Sequence, residues 1–173
     1  MRFTDKFFRR REGFTLIELL IVIAILGILY SFAFSYLTGF MEDARFARAK
    51  AELSQVAKAT QQWVIAHGGV WPDDVDRAIP PGIQEYLGPG EWPEAPWEGS
   101  VYDWDNATVG GETYYQISIR FCPLGQPSQC NFPDQDWADD FDYYSSVYFC
   151  MGGPCRAHPN KPVSHPGYCL NCQ

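Results

Sequence analysis

The chain has 173 residues and a formal net charge of −8, from 13 basic and 21 acidic residues. This length suits one modest globular domain behind a long helix and is too short for two ordinary domains. The first 13 residues hold five basic and two acidic residues, so residues 14–173 carry 8 basic and 19 acidic residues and a net charge of −11. This acidity argues against a nucleic-acid-binding surface, because contacts to phosphates need Lys and Arg.

An apolar run extends from Phe14 to about Phe40. Between Phe14 and Met41 only Glu18 is charged at neutral pH. An apolar run of more than about 20 residues is long enough to cross the hydrocarbon core of a bilayer as a helix. Three arginines, at positions 9 to 11, precede the run and favour a cytoplasmic amino terminus. We therefore expect a single-pass protein whose remaining residues lie outside the cytoplasm.

The segment GFTLIEL at residues 13–19, followed by LIVIAILGIL, closely resembles the amino-terminal signature of type IV prepilins and of the pseudopilins of type II secretion systems. A basic leader, a Gly-Phe junction and a single Glu in an apolar run form a specific combination. The resemblance implies that prepilin peptidase removes residues 1–13 as a leader, by cleaving between Gly13 and Phe14, and methylates the new amine of Phe14. It also implies that Glu18 neutralises the amine of a neighbouring subunit in the filament.

Two other interpretations of the apolar run explain less of it. A secretory signal carries a small-residue A-x-A cleavage site directly after its apolar region, and no such site directly follows this run. A plain membrane anchor gives no reason to keep Glu18, because an ionised carboxylate near the start of a span is costly unless it is paired. The prepilin interpretation supplies that partner.

The apolar run continues into an amphipathic segment at residues 42–69. Apolar and small residues recur there at the spacing of one helix face: Phe46, Ala49, Leu53, Val56, Ala57, Thr60, Trp63 and Val64. No proline interrupts the path to Ala66, and Gly68-Gly69 is a typical helix stop. We predict one long helix over residues 14–67, with a transmembrane and assembly segment in its first half. Unlike many pilins, the chain has no proline between Ser31 and Leu37.

Residues 68–173 are predicted to form an extracytoplasmic head with a cysteine-rich tail. From Val70 to Pro96, prolines and glycines allow only short elements, such as a helical turn at residues 83–87. The segments SVYDWD, TYYQISIRFC and YYSSVYFCM predict two or three antiparallel strands, with a turn over Asn106 to Gly111. The expected fold class is α+β, with the long helix packed on a small antiparallel sheet, as in the ladle fold of the pilin family.

All six cysteines lie in the last third of the chain: Cys122, Cys130, Cys150, Cys155, Cys169 and Cys172. An even number of cysteines in an extracytoplasmic segment predicts three disulfides, and spacing does not decide among the 15 possible pairings. One alternative is a zinc site, because His158 and His165 lie among the last four cysteines. Another is a redox-active Cys-x-x-Cys pair at Cys169 and Cys172, although the thioredoxin-like βαβ setting is absent.

The segment DQDWADDFD carries five aspartates: Asp134, Asp136, Asp139, Asp140 and Asp142. Calcium takes six to eight oxygen ligands from loops of this kind, and some pseudopilins bind it near the carboxy terminus. The spacing is not that of an EF-hand, because no glycine occupies the turn and no glutamate closes a 12-residue loop. A solvated acidic loop is the favoured interpretation and a calcium loop is the alternative. No other cofactor is expected.

The sequence has no recognisable catalytic pattern, such as G-x-S-x-G, a phosphate loop or H-E-x-x-H, so we expect no enzymatic activity. We predict a structural subunit of a type IV pilus or pilus-like filament, with prepilin peptidase and other pilin subunits as its partners. It would reside in the inner membrane and then in a periplasmic or cell-surface filament. The alternatives are a pseudopilin of a type II secretion system and a minor tip pilin that acts as an adhesion module.

Overall fold

The computed structural model describes residues 13–88, 94–157 and 165–172. Helix α1 spans Leu16–Ala66, and four strands follow it: β1 is Val101–Val109, β2 is Glu112–Arg120, β3 is Ser146–Gly152 and β4 is Gly167–Cys169. Two short 3-10 helices, Ile83–Tyr86 and Asp136–Ala138, lie in the connections. Residue contacts divide the chain into two compact units, with the boundary after Met41. The predicted α+β class is confirmed.

The long helix is also confirmed, since α1 continues for 51 residues without a break. It ends where the sequence predicts a stop. Gly68 and Gly69 have φ angles of 71° and 87°, in the left-handed region that glycine adopts without steric cost. The Gly69 N–H donates a hydrogen bond to the Val64 carbonyl at 2.8 Å, which satisfies one of the last carbonyls of the helix.

In the second unit, the predicted apolar face of α1 is buried in the core. Ala49, Leu53 and Val56 have no exposed surface, and Thr60 is equally buried. The Thr60 hydroxyl donates to the Val56 carbonyl, so this polar group is satisfied inside the core. Side chains between these positions, such as Lys58, are exposed. The three- and four-residue spacing therefore predicts this interface correctly.

The sheet has the strand order β1-β2-β3-β4. Strands β1 and β2 form an antiparallel hairpin that pairs Val101 with Arg120 and Val109 with Glu112. The predicted turn over Asn106 to Gly111 is too long, because β1 continues to Val109. The hairpin closes at Gly110 and Gly111, which have φ angles of 64° and 85°, as a tight two-residue turn requires.

The three predicted strands pair antiparallel, and a fourth strand that the sequence does not predict makes the sheet mixed. Strand β4 pairs in parallel with β3, from Ser146 opposite Gly167 to Tyr148 opposite Cys169. A parallel neighbour needs a crossover connection, and here the 14 residues from Gly153 to Pro166 separate the two strands. β4 has only three residues, too few for a visible alternating pattern in the sequence.

Alternation along the strands gives the sheet two different faces. One face packs against α1 and is apolar: Tyr102, Trp104, Ile117, Ile119 and Val147 belong to the core. The residues between them point to the opposite face and are polar, yet each is at most 4% exposed: Asp103, Asp105, Gln116, Ser118, Arg120 and Ser146. A buried polar layer therefore lies on the side of the sheet away from the helix.

Candidate functional site

The residues of the predicted processing site lie at the start of the described chain. Phe14 is 88% exposed, and a Cβ placed on Gly13 would have no neighbouring atom within 4 Å. Both residues precede α1, which begins at Leu16. No described residue covers the Gly13–Phe14 bond, and a cleavage site must be accessible.

Glu18 lies in the first turn of α1 and forms a capping box with Thr15. The backbone N–H and the hydroxyl of Thr15 donate to Glu18 Oε2 at 2.8 and 2.7 Å, and the Glu18 N–H lies 3.3 Å from the Thr15 hydroxyl oxygen. These bonds satisfy donors that a helix start leaves free. The sequence suggests only an intersubunit partner for Glu18, whereas the structure also shows this local one. Both bonds use Oε2, so the other carboxylate oxygen has no hydrogen bond within the described residues.

The first half of α1 has an apolar surface on all sides. Large apolar side chains from Phe14 to Met41 are between 46% and 88% exposed. The helix is long and apolar enough to cross a membrane, with a mean hydropathy of 2.6 in its most apolar window. Burying one such side chain is worth about 1.5–3 kcal/mol, so this segment needs an apolar environment.

A family model described as the prokaryotic N-terminal methylation motif matches residues 8–34, which include Gly13, Phe14 and Glu18. The chain carries a type IV pilin signature. It is also 43% identical over 61 residues to the fimbrial protein EcpB of Eikenella corrodens. That alignment covers 35% of this chain and 38% of the fimbrial protein, so the likeness is confined to part of each. No solved structure matches the chain.

Outside the pilin signature, the structure resolves the pairing of the six cysteines. Three disulfides join neighbours in the sequence: Cys122 with Cys130, Cys150 with Cys155, and Cys169 with Cys172. No cysteine remains free, so the prediction of three disulfides is confirmed. The zinc alternative fails because zinc binds thiolates, and the sulfurs of all six cysteines are in disulfides. His158, one of the candidate ligands, lies outside the described residues. The redox alternative for Cys169 and Cys172 is compatible with a disulfide.

The acidic loop divides into two parts. Asp134, Asp136, Asp139 and Asp140 are exposed. Asp142 is instead engaged: it accepts hydrogen bonds from the Tyr144 N–H at 2.8 Å and the Ser145 hydroxyl at 3.1 Å, and its Oδ2 lies 2.7 Å from His165 Nδ1. Within the described ranges no three carboxylate, imidazole or thiol groups are gathered to hold a metal ion. Calcium binding by the loop stays a prediction.

The sequence interpretation missed the buried ionic cluster on the outer face of the sheet. Arg120 on β2 donates from Nε to Asp103 at 2.5 Å and from one terminal nitrogen to Asp105 at 3.3 Å. Its other terminal nitrogen donates to the Tyr144 and Ala157 carbonyls at 3.1 and 2.6 Å. One guanidinium thus joins two strands and two loops. Charged residues at alternate positions of an otherwise apolar strand are the sequence signal for such a cluster.

Two groups of this cluster titrate abnormally. Burial raises the pKa of Asp105 to about 7; the Asp103 carboxylate adds to this effect, while Arg120 opposes it. Arg120 remains charged, because the two carboxylates raise its pKa despite burial. Beside the cluster is a cavity of about 180 Å³, lined in part by Asp74, Arg77 and Tyr143. The loop residues around it close the outer face of the sheet.

Proposed function

We propose that the chain is a structural subunit of a type IV pilus or pilus-like filament, assembled through the first half of α1. The observation that carries the proposal is the single carboxylate of Glu18 in a continuously apolar, fully exposed helix that bears the pilin signature. The fimbrial relative supports the same role over the part of the chain that it matches. The role is structural rather than catalytic.

The physical argument concerns where the apolar surface and the carboxylate become buried. An apolar helix leaves water either in a bilayer or among similar helices. An ionised Glu18 is costly in both places unless it meets a cation. Cleavage after Gly13 creates an amine on Phe14, and this cation can pair with the Glu18 of a neighbouring subunit. A filament therefore buries both groups together.

Processing provides the first test. Prepilin peptidase should leave a mature protein that begins with N-methylated Phe14, and Gly13→Leu should leave the precursor in the inner membrane. Intact-mass measurement of protein extracted from membranes distinguishes the two forms. A mature protein that still begins at Met1, or that is cut after a later residue, would contradict the proposal.

Assembly provides the second test. Glu18→Leu should still insert and be cleaved, because a more apolar run spans a membrane at least as well, but it should enter filaments poorly. The measurement is the ratio of sheared filament to membrane pool, with processing checked on the same samples. Normal polymerisation of this variant would favour a membrane-anchored binding module instead.

The capping box requires a matched control. Thr15→Val removes the hydroxyl that bonds Glu18 and keeps the carboxylate. Ser31→Ala removes a hydroxyl that donates to the Gly27 and Ile28 carbonyls of its own helix, at 3.1 and 2.8 Å. Both variants should assemble nearly as well as the wild type. If Thr15→Val lost assembly as fully as Glu18→Leu, the role of Glu18 would be to cap the helix rather than to pair between subunits.

The kind of filament is a further part of the proposal. We favour a pilus over a type II secretion pseudopilus because the matched relative is a fimbrial protein. In either system the chain would begin in the inner membrane, with its amino terminus in the cytoplasm, and would finish in a filament outside that membrane. Co-fractionation of the chain with sheared surface pili, rather than with a periplasmic secretion complex, would support the pilus.

A further inference from the structure

The disulfide between Cys169 and Cys172 differs from the other two in its accessibility. Cys172 is exposed, whereas the other five cysteines are buried or half-buried. We propose that this disulfide is a thiol–disulfide exchange site, that a dithiol reduces it by attack at the Cys172 sulfur, and that its reduction releases β4 from the sheet. The site is separate from the pilin signature and does not depend on filament assembly.

The direction of attack follows from the local hydrogen bonding. The backbone N–H of Cys172 lies 3.0 Å from Cys169 Sγ, with the sulfur as acceptor. A donor at this position favours the thiolate form of Cys169. Exchange is faster when the leaving sulfur is a stable thiolate and the attacked sulfur is accessible. Cys172 is therefore the attacked sulfur and Cys169 the leaving group.

The reaction proceeds in two displacements. A thiolate of the dithiol attacks Cys172 Sγ, which forms a mixed disulfide, breaks the Cys169–Cys172 bond and releases the Cys169 thiolate. The second thiol of the dithiol loses its proton and attacks its own sulfur in the mixed disulfide, which closes the oxidised dithiol and releases the Cys172 thiolate. Both cysteine thiolates then take protons. Two electrons pass from the dithiol to the protein disulfide.

The disulfide encloses the residue that fastens the tail to β3. Asn171 lies inside the Cys169–Cys172 loop, and its amide group donates to the Cys150 carbonyl at 2.7 Å. The Cys150 N–H in turn donates to the Asn171 side-chain oxygen at 2.7 Å. The Asn171 side chain thus forms the two hydrogen bonds to Cys150 that the backbone of a neighbouring strand would otherwise form. Without the ring, Asn171 loses the constraint that aligns it with Cys150.

Within the described residues, the bonds that hold strand β4 are mostly confined to its short pairing with β3. It pairs over three residues, and the next residue, Leu170, donates to the Tyr148 carbonyl at 2.9 Å. Tyr168 contacts Phe46 and Trp137, with ring centroids 5.5 and 4.6 Å apart. Segments with so few backbone bonds open at low free-energy cost. Reduction is therefore expected to detach β4 without unfolding the other three strands.

Selective reduction is the primary test. The full-length protein in detergent is treated with increasing dithiothreitol, alkylated and mapped by mass spectrometry. Cys169 and Cys172 should become labelled about tenfold faster than the other four cysteines, because their disulfide is the accessible one. Simultaneous labelling of all six, or earlier labelling of Cys150 and Cys155, would overturn the proposal.

The monothiol glutathione tests the direction of attack. Since glutathione has no second thiol, it cannot close a disulfide of its own, and the mixed disulfide is resolved only by the Cys169 thiolate or by a second glutathione. Rapid acidification protonates these thiolates and traps the adduct. The adduct is expected on Cys172. An adduct on Cys169 would show that the exposed sulfur is the leaving group and would refute the assigned chemistry.

Hydrogen exchange tests the structural consequence. The Cys150 and Leu170 amides should exchange faster in the reduced protein and in the double variant Cys169→Ser/Cys172→Ser, while the amides that join β1 and β2 stay protected. Asn171→Ala keeps the disulfide and should accelerate exchange at Cys150 in the oxidised protein. Unchanged exchange in the double variant would show that the disulfide does not hold β4.

Discussion

Replacing Arg120 with methionine tests whether the buried ionic cluster holds the outer face of the sheet together. Methionine retains much of the length of the arginine side chain and removes the charge and every donor. Arg120 is 5% exposed in its side chain, and its carboxylate partners Asp103 and Asp105 are each 6% exposed. The substitution therefore leaves two carboxylates buried without their counter-charge.

The expected loss is large relative to the stability of a domain. Removing one partner of a buried ion pair costs about 3–5 kcal/mol, out of a total of about 5–15 kcal/mol. The lost bonds to the Tyr144 and Ala157 carbonyls add to this cost. Arg48→Met is the matched control, because Arg48 forms an ion pair with Glu52 but is 52% exposed. An exposed pair is worth at most about 1 kcal/mol.

The pH dependence gives the prediction a second readout. The folded pKa of Asp105, about 7, lies above its ordinary value of 3.8. Between these values the folded state binds a proton that the unfolded state lacks, so the Asp105 contribution to stability falls as the pH rises. Loss of Arg120 raises the folded pKa further. The destabilisation by Arg120→Met should therefore be largest above pH 7 and should shrink towards pH 4, where the Asp105 carboxyl group is protonated and needs no counter-charge.

The assay is urea denaturation of the full chain in detergent, followed by the fluorescence of the buried tryptophans Trp97 and Trp104. Arg120→Met should shift the midpoint strongly at pH 8 and weakly at pH 4.5, and Arg48→Met should barely shift it at either pH. A cost below about 1 kcal/mol at pH 8, equal to that of the exposed pair, would refute the argument. So would a cost that does not change with pH.

Other expected outcomes concern the core and the tail. Leu53→Ala should lower the free energy of unfolding by about 2–5 kcal/mol, because Leu53 is fully buried, whereas Ile65→Ala should be nearly neutral since Ile65 is 79% exposed; equal midpoints in urea would contradict the packing of α1 on the sheet. Partial burial raises the pKa of Asp142, but hydrogen bonds, led by that from His165, lower it overall. Its contribution is therefore complete above the unfolded pKa and is lost as the pH falls through the folded one. Asp142→Asn should thus destabilise at pH 7 and lose its effect in strong acid; a cost that persists there in thermal unfolding would point to packing rather than charge.

Features that depend on local periodicity can be predicted from the order of the residues. The apolar run, the amphipathic spacing that continues it and the glycines after Ala66 suffice to define α1, because helix signals lie within a few residues of one another. The buried positions from Ala49 to Val64 follow for the same reason. The three antiparallel strands β1, β2 and β3 are recognisable from their β-branched and aromatic residues, although their ends are not.

Features that join distant segments depend on the folded chain and cannot be predicted from local patterns. Six cysteines permit many pairings, and the choice of three sequence-local disulfides depends on where the chain places each sulfur. Strand β4 has too few residues to show a pattern, and its parallel pairing depends on β3 already lying in the sheet. In the sequence, Arg120 is a single charged residue at the end of a largely apolar segment. It is buried because two aspartates of β1 and carbonyls of two later loops surround it, and a charge enters a protein interior only where the fold supplies such partners.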